Sequence, residues 1–319
     1  MTSREGELRL GQLVRKELRQ HVSPEARAVS AALKSRHNPL GILFYGSCFR
    51  DGGAGGVMDF CVLTDSYRGF YSRFLPALFN TLLPPNVFYF EVPYEGGIIR
   101  AKYAVVSLHD LARFTSPDCF EAYFWGRLSQ PCALVYARDR KVRNAVAQAV
   151  ASAAQKMVRE SLPLMASRFT ARELWSRALH ESYRTEMRAE ALDRSLELYT
   201  AAAERYDDVA EAIISGSHLG QLVRPRGTAT YFVRNSSLAQ RCVAGTRWHF
   251  RRIVGRIFHV LRLTKAAHTF HGGLEYILWK IERHTGKSLR SNSWQRRHPI
   301  LAAPLLIWKL KYWKRNRRA

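Results

Sequence analysis

The sequence predicts an α/β (α+β) protein with a helical continuation and a basic end. Three observations carry that expectation. Over residues 40–107, short apolar runs alternate with glycine turns and with stretches of helical spacing. Over residues 141–205 the chain is alanine-rich and periodic at helical spacing. Over residues 224–319 it holds 22 Lys or Arg against two acids, Glu275 and Glu282, and so carries +20 of the chain's net +24. The expected parts are residues 1–140, a helical domain over 141–223, and a basic region over 224–319.

Taken in order, residues 5–37 read as helix, with Leu8, Leu10, Leu13 and Leu18 set among charges. Residues 40–46 (LGILFYG) have the form of a buried strand closed by glycine. A glycine-rich stretch at 51–56 precedes a second apolar run at 57–63. Residues 67–83 read as helix. Two further strands follow, at 87–92 and 98–107, divided by a Glu-Gly-Gly turn at 95–97. Pro163 separates two helices of the alanine-rich part.

Composition narrows the function classes. A chain of 319 residues with 47% hydrophobic and 12% aromatic residues folds around a real core and is not a disordered segment. The five cysteines are scattered without CxxC spacing, which excludes a zinc finger or disulfide framework and fits a reducing compartment. The 11 histidines show no metal-binding spacing. The start of the chain has Glu5 and Glu7 and no apolar h-region, so no leader is expected. The longest apolar run, residues 299–308, is too short to span a bilayer. The charge excess points to phosphate, anionic lipid or nucleic acid.

Residues 42–65 read ILFYGSCFRDGGAGGVMDFCVLTD. An apolar strand ends in Gly46-Ser47, and Asp59 enters the next strand. Gly46 lets backbone approach a phosphate, the Ser47 hydroxyl can hold one, and Asp59 can bind Mg²⁺ that bridges phosphate oxygens. The pattern resembles the nucleotidyltransferase fold. A second acid two residues on would face the same metal, but that position is Cys61, and Asp65 lies too far along the strand. The second carboxylate must come from elsewhere, with Glu186 and Glu91 as candidates.

The segment YGSCFRDGGAGGVMDFCVLTD is similar to the mitochondrial-type phosphatidate cytidylyltransferases, the translocator assembly and maintenance family, which also lacks the acid at that position. Four more blocks follow in the family's order: IRAKYAVVS at 99–107, GRLSQP at 126–131, SYRTEMR at 182–188, and VRNSSLAQ at 233–240. Departures are Ala104 for a glycine, Glu186 for an aspartate, and Val243-Ala244 for a Lys-Gly pair. The resemblance implies a bacterial member with a nucleotidyltransferase domain and a mixed sheet. It would transfer CMP from CTP to phosphatidate with Mg²⁺, as a peripheral protein on the cytoplasmic face of the inner membrane. It implies catalytic roles for Asp59, Glu186 and Lys102, with Asp59 and Glu186 on the metal. Gly46, Ser47, Arg127, Tyr183 and Arg188 would hold the nucleotide. Lys102 lies between apolar strand residues, where an unpaired cation is costly and a phosphate would satisfy it. Arg127 is expected in a loop, and Tyr183 and Glu186 on one helix face. The alternatives are a nucleotidyltransferase acting on RNA or protein, and a noncatalytic membrane-binding relative.

Residues 248–263 (WHFRRIVGRIFHVLRL) place Phe250, Ile253, Val254, Ile257, Phe258 and Leu261 on one helical face. Arg251, Arg252, Arg256, His259 and Arg262 fall opposite. This is the form of a helix lying on anionic lipid, with its arginines on headgroups and its aromatics at the acyl boundary. The tail at 304–319 repeats the theme. No nucleic-acid reader motif is present, so no specific nucleic acid is expected.

Overall fold

A computed structural model describes residues 3–50, 52, 56–186, 192–216, 222–223, 230–233 and 238–269. The chain opens with α1 (Ser3–Leu18) and α2 (Pro24–His37). Ser23 breaks what the sequence predicts as one helical stretch. Its side chain accepts the Ala26 N–H at 3.3 Å, and Pro24 occupies the first turn, where no N–H is needed. There follow β1 (Gly41–Tyr45), the single turn α3 (Ser47–Arg50), β2 (Met58–Thr64), the short α4 (Tyr67–Phe70), α5 (Phe74–Leu82), β3 (Asn86–Tyr94) and β4 (Gly97–Ser107). Then come α6 (Leu108–Thr115), α7 (Tyr123–Leu128) and β5 (Cys132–Ala137), three elements that sequence reading did not anticipate.

The five strands form a mixed sheet in the order β3-β4-β2-β1-β5, parallel between β2 and β4 and antiparallel elsewhere. Alternation divides its side chains. Ile42, Phe44, Phe60, Val62 and Val105 share a core with Ala26, Val29 and Leu33 of α2. Leu43, Cys61, Leu63 and Val106 face the opposite side and a much larger helical body.

That body consists of α8 (Arg140–Ser161), α9 (Ala171–Arg184), α10 (Leu192–Thr200) and α11 (Ala203–Gly216), with α1 packed among them. Asp139 starts α8 by accepting the Val142 N–H at 2.8 Å. Pro163 sits in a 3₁₀ turn that ends it. Thr170 and Glu173 form a capping box at the start of α9. Buried Glu17 ties α1 to both layers, accepting the Cys132 N–H at 3.2 Å and Arg205 Nε–H at 2.6 Å. A small second sheet joins β6 (Arg168–Thr170), β8 (Thr230–Val233) and β7 (Leu222–Val223) in that order. The last described element is α12 (Leu238–Thr269). Among the described residues no helix is long and apolar enough to cross a membrane.

Helix α12 contains the amphipathic pattern expected over 248–263, but two of its arginines face inward. Arg251, expected on lipid headgroups, is fully buried; its Nη2 is 2.9 Å from Glu160 Oε2 and its Nε donates to the Phe120 carbonyl at 2.7 Å. Arg262, expected in the same role, grips both oxygens of Glu121 at 2.7 and 2.8 Å and donates Nε–H to the Pro84 carbonyl at 2.9 Å. The reason is physical: at these two positions the body offers α12 carboxylates, Glu160 and Glu121, together with backbone carbonyls. Arg252 is half-buried, 3.7 Å from Glu181, and Arg256 is exposed. Phe250, Ile253, Ile257 and Leu261 are turned to solvent, while Phe258 is half-buried.

One half-buried titratable group makes the fold acid-sensitive. The His37 ring stacks on Phe70 at 4.7 Å, and its Nε2 is 3.0 Å from the Tyr103 hydroxyl. Burial, with Arg36 alongside, pushes its pKa down to about 4 from 6.5. Between those values the unfolded chain binds a proton that the folded one refuses. Stability should therefore be lost as pH falls from about 6.5 toward 4, and this contribution vanishes above 6.5. For a half-buried ring the loss is of the order of 1 kcal/mol. The melting temperature of the wild type relative to that of His37→Phe should fall as the pH drops from 7 to 4.5; a constant difference would refute this.

Candidate functional site

The register of the main sheet assembles the site. Tyr45 on β1 is opposite Asp59 on β2, Asp59 is opposite Lys102 on β4, and Lys102 is opposite Tyr89 on β3. Register partners project from the same face. These four side chains therefore make one row across four strands, on the side of the helical body. Lys102 is not an unpaired cation as expected: its Nζ is 3.0 Å from Asp59 Oδ1. Gly46 follows Tyr45 with φ +88°, and a Cβ there would lie 2.6 Å from Asp59 Oδ2. The turn thus requires glycine for its backbone and for the space the carboxylate occupies. Ser47 and Arg50 come next, on α3.

Helices α7 and α9 supply the facing wall, in tight contact where Gly126 meets Ser182; a Cβ on Gly126 would fall 2.1 Å from the Ser182 Oγ. Arg127, expected in a loop, lies on α7. It donates Nη1–H to the Tyr123 carbonyl at 2.9 Å and binds Glu186 with both terminal nitrogens, Nη2 to Oε2 at 2.6 Å. Its guanidinium carbon stands 3.7 Å over the Tyr123 ring centroid. Burial opposes the charge on Arg127, but Glu186 outweighs it and holds the pKa above the ordinary guanidinium value. Tyr183 on α9 donates to Gln130 Oε1 at 3.2 Å.

The cleft between sheet and wall has a volume of about 490 Å³. Among the described residues four cations line it, Arg50, Lys102, Arg127 and Arg194, with the carboxylate of Asp59. Lys102 pairs with Asp59, Arg127 with Glu186, and Arg194 with Glu197 at 2.8 Å. Gly46, Ser47, Tyr45 and Tyr183 also line it. A cleft lined with cations beside a glycine turn is chemically suited to an anionic group. The Tyr45 hydroxyl stays protonated, its pKa raised by burial and then by Asp59. Burial pushes the Cys61 thiol up to about 12, so it packs as a neutral group beneath the row.

The structure brings together Gly46, Ser47, Asp59, Lys102, Arg127 and Tyr183 of the expected set. Glu186 lies in the turn beyond α9 with both its oxygens on Arg127, so it anchors that arginine. Glu91 accepts from the Tyr89 hydroxyl at 2.7 Å and pairs with Arg100 at 3.4 Å, outside the cleft. Arg188 lies outside the described residues. Sequence reasoning missed Tyr45, Arg50, Tyr123, Gln130 and Arg194. The first two had a signal, since they flank Gly46-Ser47; the other three come from distant parts of the chain.

No group of three or more His, Cys, Asp or Glu placed to hold a metal occurs among the described residues. One carboxylate facing a cationic cleft is still compatible with Mg²⁺, which keeps several waters and is commonly held by one or two carboxylates plus substrate phosphates. Asp59 is the residue that would hold it. No protein-family model and no curated protein matches this chain.

Proposed function

We propose that this protein is a nucleotidyltransferase of the phosphatidate cytidylyltransferase kind, with a nucleotidyltransferase fold, making CDP-diacylglycerol and pyrophosphate from CTP and phosphatidate. The observation that carries the reading is the cleft itself: a Gly46-Ser47 turn against Asp59, with Arg50, Lys102, Arg127 and Arg194 along it. Such cations suit a triphosphate. The choice of CTP and phosphatidate rests on the resemblance of the five sequence blocks.

In this reading Arg50, Lys102 and Arg194 neutralise the triphosphate, and the Ser47 hydroxyl donates to it. Arg127, fixed by Glu186 and Tyr123, adds charge without moving. A phosphatidate oxygen attacks the α-phosphorus, a P–O bond forms, and the bond to the β-phosphate oxygen breaks. Pyrophosphate departs with the electron pair, into the cationic end of the cleft. The attacking monoester is already anionic, so no strong general base is required. Mg²⁺, when bound with the nucleotide at Asp59, would supply additional charge neutralisation. The exposed apolar stripe of α12 supports peripheral docking on the inner membrane, where phosphatidate resides.

The test is a calorimetric titration of CTP, ATP, GTP and UTP with Mg²⁺, followed by labelled CTP and phosphatidate in mixed micelles. CTP should bind at least about tenfold tighter than the others, about 1.4 kcal/mol, and label should enter lipid. Preference for ATP without lipid labelling would point to transfer onto RNA or protein. Absence of nucleotide binding would leave a noncatalytic membrane-binding relative.

A further inference from the structure

Two helices of this protein bury polar side chains while leaving large apolar ones exposed. In α5, Asn80 is fully buried: its amide donates to the Val105 carbonyl at 2.9 Å and its side-chain oxygen accepts the Asn86 N–H. The same helix leaves Phe74, Leu75 and Leu82 at 58, 60 and 71% exposure. In α12, Arg251 and Lys265 are buried while Ile253, Ile257, Leu261 and Leu263 are exposed. Each helix thus buries polar pegs beside a few apolar residues, Ala77 in α5 and Ala244 and Trp248 in α12, and leaves most of its large aliphatic side chains outward. Hydrated apolar surface costs about 25 cal/mol per Å², which only an apolar partner removes.

The two helices are also joined. Arg262 donates to the Pro84 carbonyl at 2.9 Å, and Lys265 donates to the Leu83 carbonyl and to the Pro85 carbonyl at 2.9 Å. Residues 83–85 immediately follow α5, so its C-terminal end is fastened to the stretch of α12 that exposes Leu261 and Leu263. Charge identifies the partner. Residues 66–83 and 238–269 contain no Asp or Glu. Arg68, Arg73 and Arg256 are exposed beside the apolar side chains, with the Arg68 guanidinium 5.3 Å over the Phe74 ring. Hydrocarbon side chains fringed by exposed arginines complement an anionic headgroup layer over acyl chains.

We propose that α5 inserts Phe74, Leu75 and Leu82 into the same anionic bilayer that α12 docks on, so that the membrane is gripped by two helices rather than one. This rests on the lipid-directed function proposed above. The full-length protein would be floated with phosphatidylcholine vesicles with and without phosphatidylglycerol. Leu75→Gln/Leu82→Gln should lower binding to the anionic vesicles by roughly tenfold or more, with melting temperature and CTP affinity unchanged. An NBD probe at Leu82→Cys, in a Cys242→Ser background, should be quenched by lipids carrying nitroxide on the acyl chain. Undiminished flotation of the α5 variant, or an unquenched probe, overturns the proposal. If Ile253→Gln/Ile257→Gln then abolishes flotation, docking through α12 alone stands. Absence of anionic-vesicle binding by the wild type sinks both readings. Altered protease cleavage within 270–319 in the α5 variant, with flotation intact, would assign the face to the chain's own C-terminal segment and overturn the bilayer. A shift to a dimer on gel filtration, lost in that variant, would assign it to a second copy and do the same.

Discussion

In the proposed reaction, Asp59→Asn should slow cytidylyl transfer by at least about 100-fold while leaving nucleotide binding intact or tighter in the absence of Mg²⁺. Asp59 is the one carboxylate among the described residues that line the cleft, and it faces Lys102 at 3.0 Å. Removing its charge frees Lys102 and makes the cleft more positive, so a free triphosphate should bind no worse. What is lost is the carboxylate that would hold Mg²⁺, and with it the charge neutralisation the metal would supply in the transition state. Losing one charge-stabilising contact in a transition state costs about 10²–10³ in rate, and losing the metal should cost at least that. The asparagine side chain is nearly isosteric, so the Gly46 turn packed against Oδ2 survives. Single-turnover rates, together with CTP affinity with and without Mg²⁺, test this. Transfer within tenfold of wild type would exclude Asp59 from the chemistry. A collapse of metal-free CTP affinity would mean that the carboxylate holds the nucleotide site together instead.

The half of this site that lies on the sheet was legible because it is local. Two apolar runs around Gly46-Ser47 predict two adjacent strands, and the count between Ser47 and Asp59 brings turn and acid together. The facing wall was not legible. Arg127 and Glu186 are 59 residues apart, and nothing in either segment marks them as partners. Read alone, Glu186 is a free carboxylate and therefore a metal candidate; paired, it is the counter-ion of an arginine. Helix α12 gives the complementary lesson. Its period defines two faces correctly, but period cannot say which face turns inward. The usual rule puts isoleucines inside, and here Glu160 and Glu121, about 91 and 141 residues upstream of their partners, turn arginines inside instead. The conformation of α7 was missed for a related reason. Its six residues are too few to show periodicity, and burial against α8 and α9 holds it in place.

Arg262→Gln should lower cytidylyl transfer by about 10- to 100-fold, even though Arg262 does not line the nucleotide cleft. The guanidinium of Arg262 lies 4.0 Å from the Tyr123 ring centroid, and that of Arg127 lies 3.7 Å from it. Atoms so near a centroid must sit over a ring face, and one face cannot hold two guanidiniums, so the ring is sandwiched. A second contact runs parallel: a Cβ on Gly255 would stand 2.7 Å from the Thr185 carbonyl oxygen, so α12 bears directly on the residue before Glu186. The helix thus supports both members of the Arg127–Glu186 pair. Glutamine at 262 leaves Glu121 without its bidentate partner and one face of Tyr123 bare, so Arg127 loses its rigid backing. Lysine should rescue poorly, because it has neither the planar fork nor the stacking surface. Tyr123→Phe should be close to wild type, because the sandwich uses the ring. Anionic-vesicle flotation by Arg262→Gln should be preserved, because the exposed apolar residues of α12 are untouched. A variant that floats normally, melts within a few degrees of wild type and transfers CMP slowly separates positioning from docking and from folding. Normal transfer by Arg262→Gln, or full rescue by lysine, would show that α12 does not back the cleft wall.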